Sequence, residues 1–207
     1  MRTLSLKHTL VAGVLALSGS LALAAATVGQ PAPAFTATDT SGKTVSLADF
    51  KGKHVVLEWV NPGCPFVQKH YNSANMQGTQ QDAQAKGVVW LAINSTAPDA
   101  GDYKKPAEMA QWMAQQKAAA TATLMDSDGK VGRAYGARTT PHMYVIDPAG
   151  KLIYAGGIDN KPTARTSDIA GATNHVKVAL AEATAGKPVS TPTTQPYGCS
   201  IKFASGA

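Results

Sequence analysis

The sequence predicts an α/β domain: a central mixed β-sheet flanked by helices, with a β-hairpin at its N-terminal side and an extended C-terminal tail. Three observations point there. The apolar runs "HVVLEWV" (54–60) and "VVWLAI" (88–93) have the length of buried strands. Segments with apolar residues at helical spacing alternate with them, opening at Pro65, at Pro106 and near Ser167. The last segment, "KPVSTPTTQPYGCSIKFASGA" (187–207), is rich in Pro, Ser and Thr and carries neither period.

The chain begins with Arg2 and Lys7, runs into the apolar stretch "LVAGVLALSGSLALA" and reaches Ala22, Ala24, Ala25 and Ala26, the charged, apolar, small order of a secretory signal peptide. Gly13, Ser18, Gly19 and Ser20 interrupt the run, which falls short of the roughly 20 apolar residues of a spanning helix. The expectation is a signal peptide over 1–26, a domain over 27–186 and a tail over 187–207. The mature protein would be periplasmic or secreted, with no membrane association after cleavage. Losing Arg2 and Lys7 and no acidic residue lowers the formal charge from +6 to +4. The lysines are scattered, with no basic stripe interleaved with aromatics, so nucleic acid is not an expected partner. About 180 mature residues suffice for one real core.

Between two short alternating runs, Asp39 to Lys43 form a turn, which makes the hairpin. "HVVLEWV" follows as a strand, and Pro65 opens a helix, "PFVQKHYNSANMQ", at the position where its missing N–H costs nothing. After the strand "VVWLAI", Met109, Trp112 and Met113 recur at helical spacing behind Pro106, the pattern of a buried face. "TATLMD" is a further strand. "DSDGK" opens like a calcium loop, but Arg133 and Tyr135 stand where later ligands would be and no closing glutamate follows, so it reads as a turn. Strands at 142–147 and 152–155 are joined by Pro148 to Lys151, and a helix spans about Ser167 to Ala185, with Ile169, Val176 and Leu180 on one face and Gly186 as its stop.

Two cysteines, Cys64 and Cys199, are the whole thiol inventory. Export permits a disulfide, yet Cys64 sits at the start of a helix, where unpaired N–H groups and the positive end of the dipole favour a thiolate. Lys69 is expected to be solvated on the helix surface, and His70, six residues on, to be a surface or packing histidine.

"GCPFVQKHY", "TTPHMYVID" and "PYGCSIKF", in that order, resemble the exported thioredoxin-fold proteins of the alkyl hydroperoxide reductase/thiol-specific antioxidant family, in particular a peroxiredoxin-like subgroup, over roughly residues 28 to 186. The resemblance implies a thioredoxin fold and a thiol-dependent oxidoreductase. Its Cys-x-x-Cys motif is here Cys64-Pro65-Phe66-Val67, so the second cysteine is a valine. It implies that Glu58, six residues before Cys64, is a buried proton acceptor and donor for the thiol, with a pKa raised by desolvation; the alternative has Glu58 pointing outward at a sheet edge. It implies a cis-proline at Pro141, with Thr140 offering backbone hydrogen bonds to substrate, and Pro65 and Phe66 lining the same groove. His142 faces either the site or the core.

A peroxiredoxin needs a threonine or serine three residues before its cysteine and a later arginine; this chain has Asn61 there and Arg138 only in a nearby loop. The leading expectation is therefore disulfide exchange with Cys64 as nucleophile and Cys199 as the one available resolving thiol. The runner-up is a peroxiredoxin-like antioxidant in which Cys199 captures a sulfenic acid on Cys64. A third reading is a redox-inactive scaffold or metal-binding module with a structural Cys64–Cys199 bridge. Expected partners are protein or small-molecule thiols and disulfides, hydroperoxides in the second reading, and an external thiol reductant. No cofactor or metal is called for.

Overall fold

The structure is a computed structural model that describes residues 25–205. The expected signal peptide therefore lies outside the described residues, apart from Ala25 and Ala26. The hairpin is present as β1 (Thr36–Asp39) and β2 (Thr44–Ser46). Asp39 makes its turn: Oδ1 accepts from the backbone N–H of Ser41 (2.8 Å) and of Lys43 (2.9 Å), the local bonding that suits aspartate to turns.

After β3 (Val55–Trp59) come two helices, α1 (Pro65–Asn72) and α2 (Asn75–Gln84), where one had been expected. Ser73 ends the first: its hydroxyl donates back to the carbonyls of Lys69 (2.7 Å) and His70 (3.3 Å), and Ala74 turns left-handed at φ +57°. Then follow β4 (Val89–Asn94), α3 (Pro106–Gln115) and β5 (Ala122–Met125). The turn at "DSDGK" leads into a short helix that the sequence reading lacked, α4 (Lys130–Tyr135). The buried Asp126 carboxylate starts it by accepting from the N–H groups of Val131 (3.0 Å) and Gly132 (2.8 Å).

Thr139–Thr140 form a two-residue strand, β6, before the predicted pair β7 (His142–Ile146) and β8 (Leu152–Gly156). The last helix is shorter than expected. Thr166–Gly171 form a 3-10 turn, and α5 (His175–Thr184) begins only where Asn174 caps the Lys177 N–H at 3.0 Å. The tail ends in β9 (Cys199–Ser200).

Seven strands form one sheet in the order β2-β1-β5-β4-β3-β7-β8, with β3 parallel to β4 and antiparallel to β7. β3 is thus central and buried along its whole length, and its alternating side chains feed two cores. Val56 and Val60 join Trp90, Met143, Tyr71, Met109 and Leu180 beneath α1, α2, α3 and α5. Val55, Leu57 and Trp59 join Leu91, Ile93, Tyr144, Tyr135 and Phe35 on the opposite face. Each fully buried aliphatic side chain in these strands contributes roughly 1.5–3 kcal/mol, so β3 is a rigid post for whatever follows its C-terminal end.

The tail is extended, as expected, and it is also a structural partner. Thr194 N–H donates to Ala155 O (3.2 Å), Ile201 N–H to Arg138 O (3.0 Å), and Ala97 N–H to Lys202 O (2.8 Å). The Phe203 ring fills a slot left by Gly129 and Gly132, where any side chain would overlap it. No helix among the described residues is long and apolar enough to cross a membrane.

Candidate active site around Cys64 and Cys199

The site is built at the C-terminal end of β3. Asn61 shapes the turn there: its Oδ1 accepts from Gly63 N–H at 2.7 Å, and its Nδ2 donates to Thr96 Oγ1 and Asp102 Oδ2, both at 3.0 Å. Cys64 is the residue that caps α1, with Pro65 at the first helical position. Its sulfur makes no hydrogen bond to the helix N–H groups and donates to the Thr140 carbonyl at 3.0 Å. Cys64 is 2% exposed.

Thr140 is followed by a cis peptide bond to Pro141. On the other edge of Thr140 lies the tail: β9 runs antiparallel to β6, with Cys199 opposite Thr140 and Ser200 opposite Thr139. Gly198 permits this approach. It has φ +137°, and a Cβ there would overlap the Thr140 carbonyl. Cys199 is partly exposed and lies against Cys64; both are free thiols. Burial pushes the Cys199 thiol up to about 12, aided by the neighbouring Cys64 and by the charge of Asp102 and opposed by Lys202.

Cys64, Thr140, Pro141 and Cys199, chosen from three separated stretches of sequence, are therefore assembled in one place. Pro65 is exposed beside them. Phe66 is half-buried and packs edge-on against Tyr197 of the tail, with ring centroids 5.9 Å apart, so the tail already covers one of the expected groove residues.

Glu58 points into the α1/α2 side of the sheet and is fully buried. It accepts three hydrogen bonds: from Trp90 Nε1 (2.7 Å), Tyr71 Oη (2.8 Å) and Gln80 Nε2 (3.1 Å). Burial raises its pKa to about 7, against the pull of those three donors. The outward-facing alternative is ruled out by β3 being central.

Lys69 is not solvated. It is 1% exposed, and its ammonium faces Asp159 Oδ2 at 3.5 Å and donates to the Lys161 carbonyl at 2.7 Å. The reason is a partner invisible to helical periodicity: Asp159, 3% exposed, also takes the hydroxyl hydrogen of Tyr197. His70, fully buried, places Nε2 3.1 Å from the same hydroxyl, and burial lowers its pKa to about 4. His142 is in the core, 4% exposed, with Nδ1 3.2 Å from Tyr144 Oη. Arg138 is exposed and lines a cavity with Arg133 and Tyr144 on the other side of the tail. Asp159, Tyr197, Asp102 and Lys202 were missed by the sequence reading; only the quoted "PYGC" pointed to Tyr197.

Residues 28–155 match the AhpC/TSA family. The chain belongs to that family. The thiol-disulfide oxidoreductase ResA of Bacillus thuringiensis is 28% identical over 128 residues, 61% of this chain and 67% of ResA. A conserved protein of Geobacillus kaustophilus whose crystal structure is known is 28% identical, covering 87% of this chain and 94% of its own, with a TM-score of 0.78. The thioredoxin domain of a Bacteroides vulgatus thiol-disulfide oxidoreductase is 25% identical, covering 70% of this chain and 96% of its own, with a TM-score of 0.50. The thioredoxin fold expected from the motif order is thus present. The AhpC/TSA match ends before α5 and the tail, so Cys199 lies outside it. Val67, where the Cys-x-x-Cys motif has its second cysteine, is fully buried under the sheet, and no thiol on α1 partners Cys64.

Proposed function

We propose that the protein is an exported thiol-disulfide oxidoreductase whose working pair is Cys64 and Cys199, cycling between two thiols and a disulfide. The observation that carries this is the register of β6 and β9, which sets Cys199 opposite Thr140, the residue that also accepts the Cys64 S–H. Cys64 acts as nucleophile, with the Thr140 carbonyl orienting its sulfur. Glu58, with a pKa of about 7, is the proposed proton acceptor and donor for the thiol; its own hydrogen bonds go to Trp90, Tyr71 and Gln80, and none of these reaches Cys64. Thr140 and Pro141 are buried beneath β9, where Thr140 holds the Cys64 sulfur and pairs with Cys199 rather than offering its edge to substrate. Closing the loop from 64 to 199 restricts the unfolded chain by about 4–5 kcal/mol in the chain-entropy account.

Peroxidase chemistry is less well supported. The Asn61 amide is spent on Gly63, Thr96 and Asp102, and the exposed Arg138 lines a cavity of which Cys64 is not part, so neither group is placed to hold a peroxide over Cys64.

The test is peptide mapping of the oxidised mature protein followed by titration in a glutathione series. The expected result is a Cys64–Cys199 bridge that reduces reversibly above about −270 mV. A bridge that resists reduction below about −300 mV would make the pair structural. Peroxide consumption faster than disulfide exchange would restore the antioxidant reading.

A further inference from the structure

The two sulfurs are not equally reachable. Cys64 lies under Thr140, the Asn61–Gly63 turn and β9, and is 2% exposed. Cys199 rides on β9 at the outer side of the pair and is partly exposed. The strap that carries it is fastened on both sides. Before it, Tyr197 is held by Asp159 and His70; after it, Ile201 pairs with Arg138 and the Lys202 ammonium sits 2.8 Å from Asp102. These bonds hold the strap against Cys64.

The strap also takes up the backbone edge of Thr139–Thr140. An extended polypeptide that paired there would have to displace β9, whereas a small thiol can meet the outer sulfur with β9 in place.

Resting on the thiol-disulfide reading above, we propose that external thiols and disulfides of low molecular weight enter and leave at Cys199, and that Cys64 exchanges only with Cys199. In the oxidised protein an external thiolate attacks Cys199 Sγ. The new sulfur–sulfur bond forms there, the Cys64–Cys199 bond breaks, and the electron pair leaves on Cys64 Sγ, which then takes up a proton. A second external thiolate attacks the external sulfur of this mixed disulfide; the bond to Cys199 breaks, and the electron pair leaves on Cys199 Sγ, which takes up a proton. The external disulfide is released. Two external thiols are oxidised and one protein disulfide is reduced. In reverse, Cys64 attacks a mixed disulfide carried on Cys199. The arrangement inverts a pair on one helix, where the outer cysteine is the nucleophile. The high pKa of the Cys199 thiol fits the reductive direction, because an external thiolate attacking Cys64 Sγ would have to expel Cys199, a poor leaving group, whereas attack on Cys199 Sγ does not.

The experiment starts from the oxidised mature protein. Glutathione is added, the reaction is stopped with acid at successive times, and the mixed disulfides are located by peptide mapping. Glutathione on Cys199 with Cys64 free is expected to exceed the converse by at least about tenfold. In parallel, Cys64→Ser and Cys199→Ser proteins are treated with an aromatic disulfide reagent, which needs no trapped intermediate. The first is expected to react faster, through Cys199. Glutathione found mainly on Cys64, or faster labelling of the Cys199→Ser protein, would overturn the inference while leaving the paired-cysteine reading intact. Failure of any Cys64–Cys199 bridge to form on oxidation would overturn both.

Discussion

Tyr197 donates its hydroxyl hydrogen to Asp159, and that bond fixes the tail two residues before Cys199. The same hydroxyl lies 3.4 Å from the Lys69 ammonium and 3.1 Å from His70 Nε2, so one phenol gathers three buried groups of α1 and the β8–α5 connection. Tyr197→Phe keeps the ring against Phe66 and removes only the hydroxyl. It is expected to cost about 1–3 kcal/mol in urea unfolding, since Asp159 stays buried with one donor fewer. Alkylation of Cys64 should become several-fold faster, a change that mass spectrometry of iodoacetamide-treated protein would show.

Gly198 offers a second handle on the strap. Gly198→Ala places a methyl group on the Thr140 carbonyl at a φ that alanine tolerates poorly, at roughly 1–3 kcal/mol. The sheet contains none of this residue, so far-ultraviolet circular dichroism should be unchanged. The yield of the Cys64–Cys199 bridge after mild oxidation should fall, and a wild-type yield would show that β9 tolerates the displacement.

Glu58 gives a pH signature. Its folded pKa of about 7 exceeds the ordinary 4.5, so between those values the folded protein holds a proton that the unfolded chain has lost. Stability from this group is present below about pH 4.5 and declines as pH rises to 7, by about 3 kcal/mol, then levels off. Comparing urea melts of wild type and Glu58→Gln from pH 4.5 to 8 isolates the effect, because the variant should lack that slope. The rate of disulfide exchange should likewise lose an inflection near pH 7.

Removing the Lys69 charge is the harshest change. Lys69→Met leaves Asp159 buried opposite an apolar chain and should cost about 3–5 kcal/mol. Adding Asp159→Asn should recover part of the loss in the same melt. If the double variant is no better than the single, the pair is not coupled.

Residues whose role depends on local order were legible in the sequence. The strand "HVVLEWV", the proline-opened α1 and the hairpin turn at Asp39 follow from short-range patterns and set Cys64 at the start of α1, whereas the Thr140–Pro141 pair comes from the family resemblance. What escaped was decided over long distances. Lys69 looks like any helix-surface lysine until Asp159, ninety residues later, folds beneath it. α4 has too few residues to show a period, and it exists because the Asp126 side chain bonds its first turn. The long helix expected from Ser167 was cut short because Asn174 caps a new start more strongly than the preceding residues extend the old one. The contact between Cys64 and Cys199 depends on a segment with no period at all, positioned by a phenol and a glycine.

Thioredoxins that carry both cysteines on one helix keep them together whatever happens to the rest of the chain. Here the second sulfur belongs to a terminal strap that joins the body through the segment after Gly186. A single proteolytic cut between Gly186 and Tyr197 would leave the fragment held by its docking bonds alone in the reduced protein, but covalently retained in a protein carrying the proposed Cys64–Cys199 bridge. Limited digestion followed by denaturing electrophoresis would then read the redox state of the molecule as one piece or two.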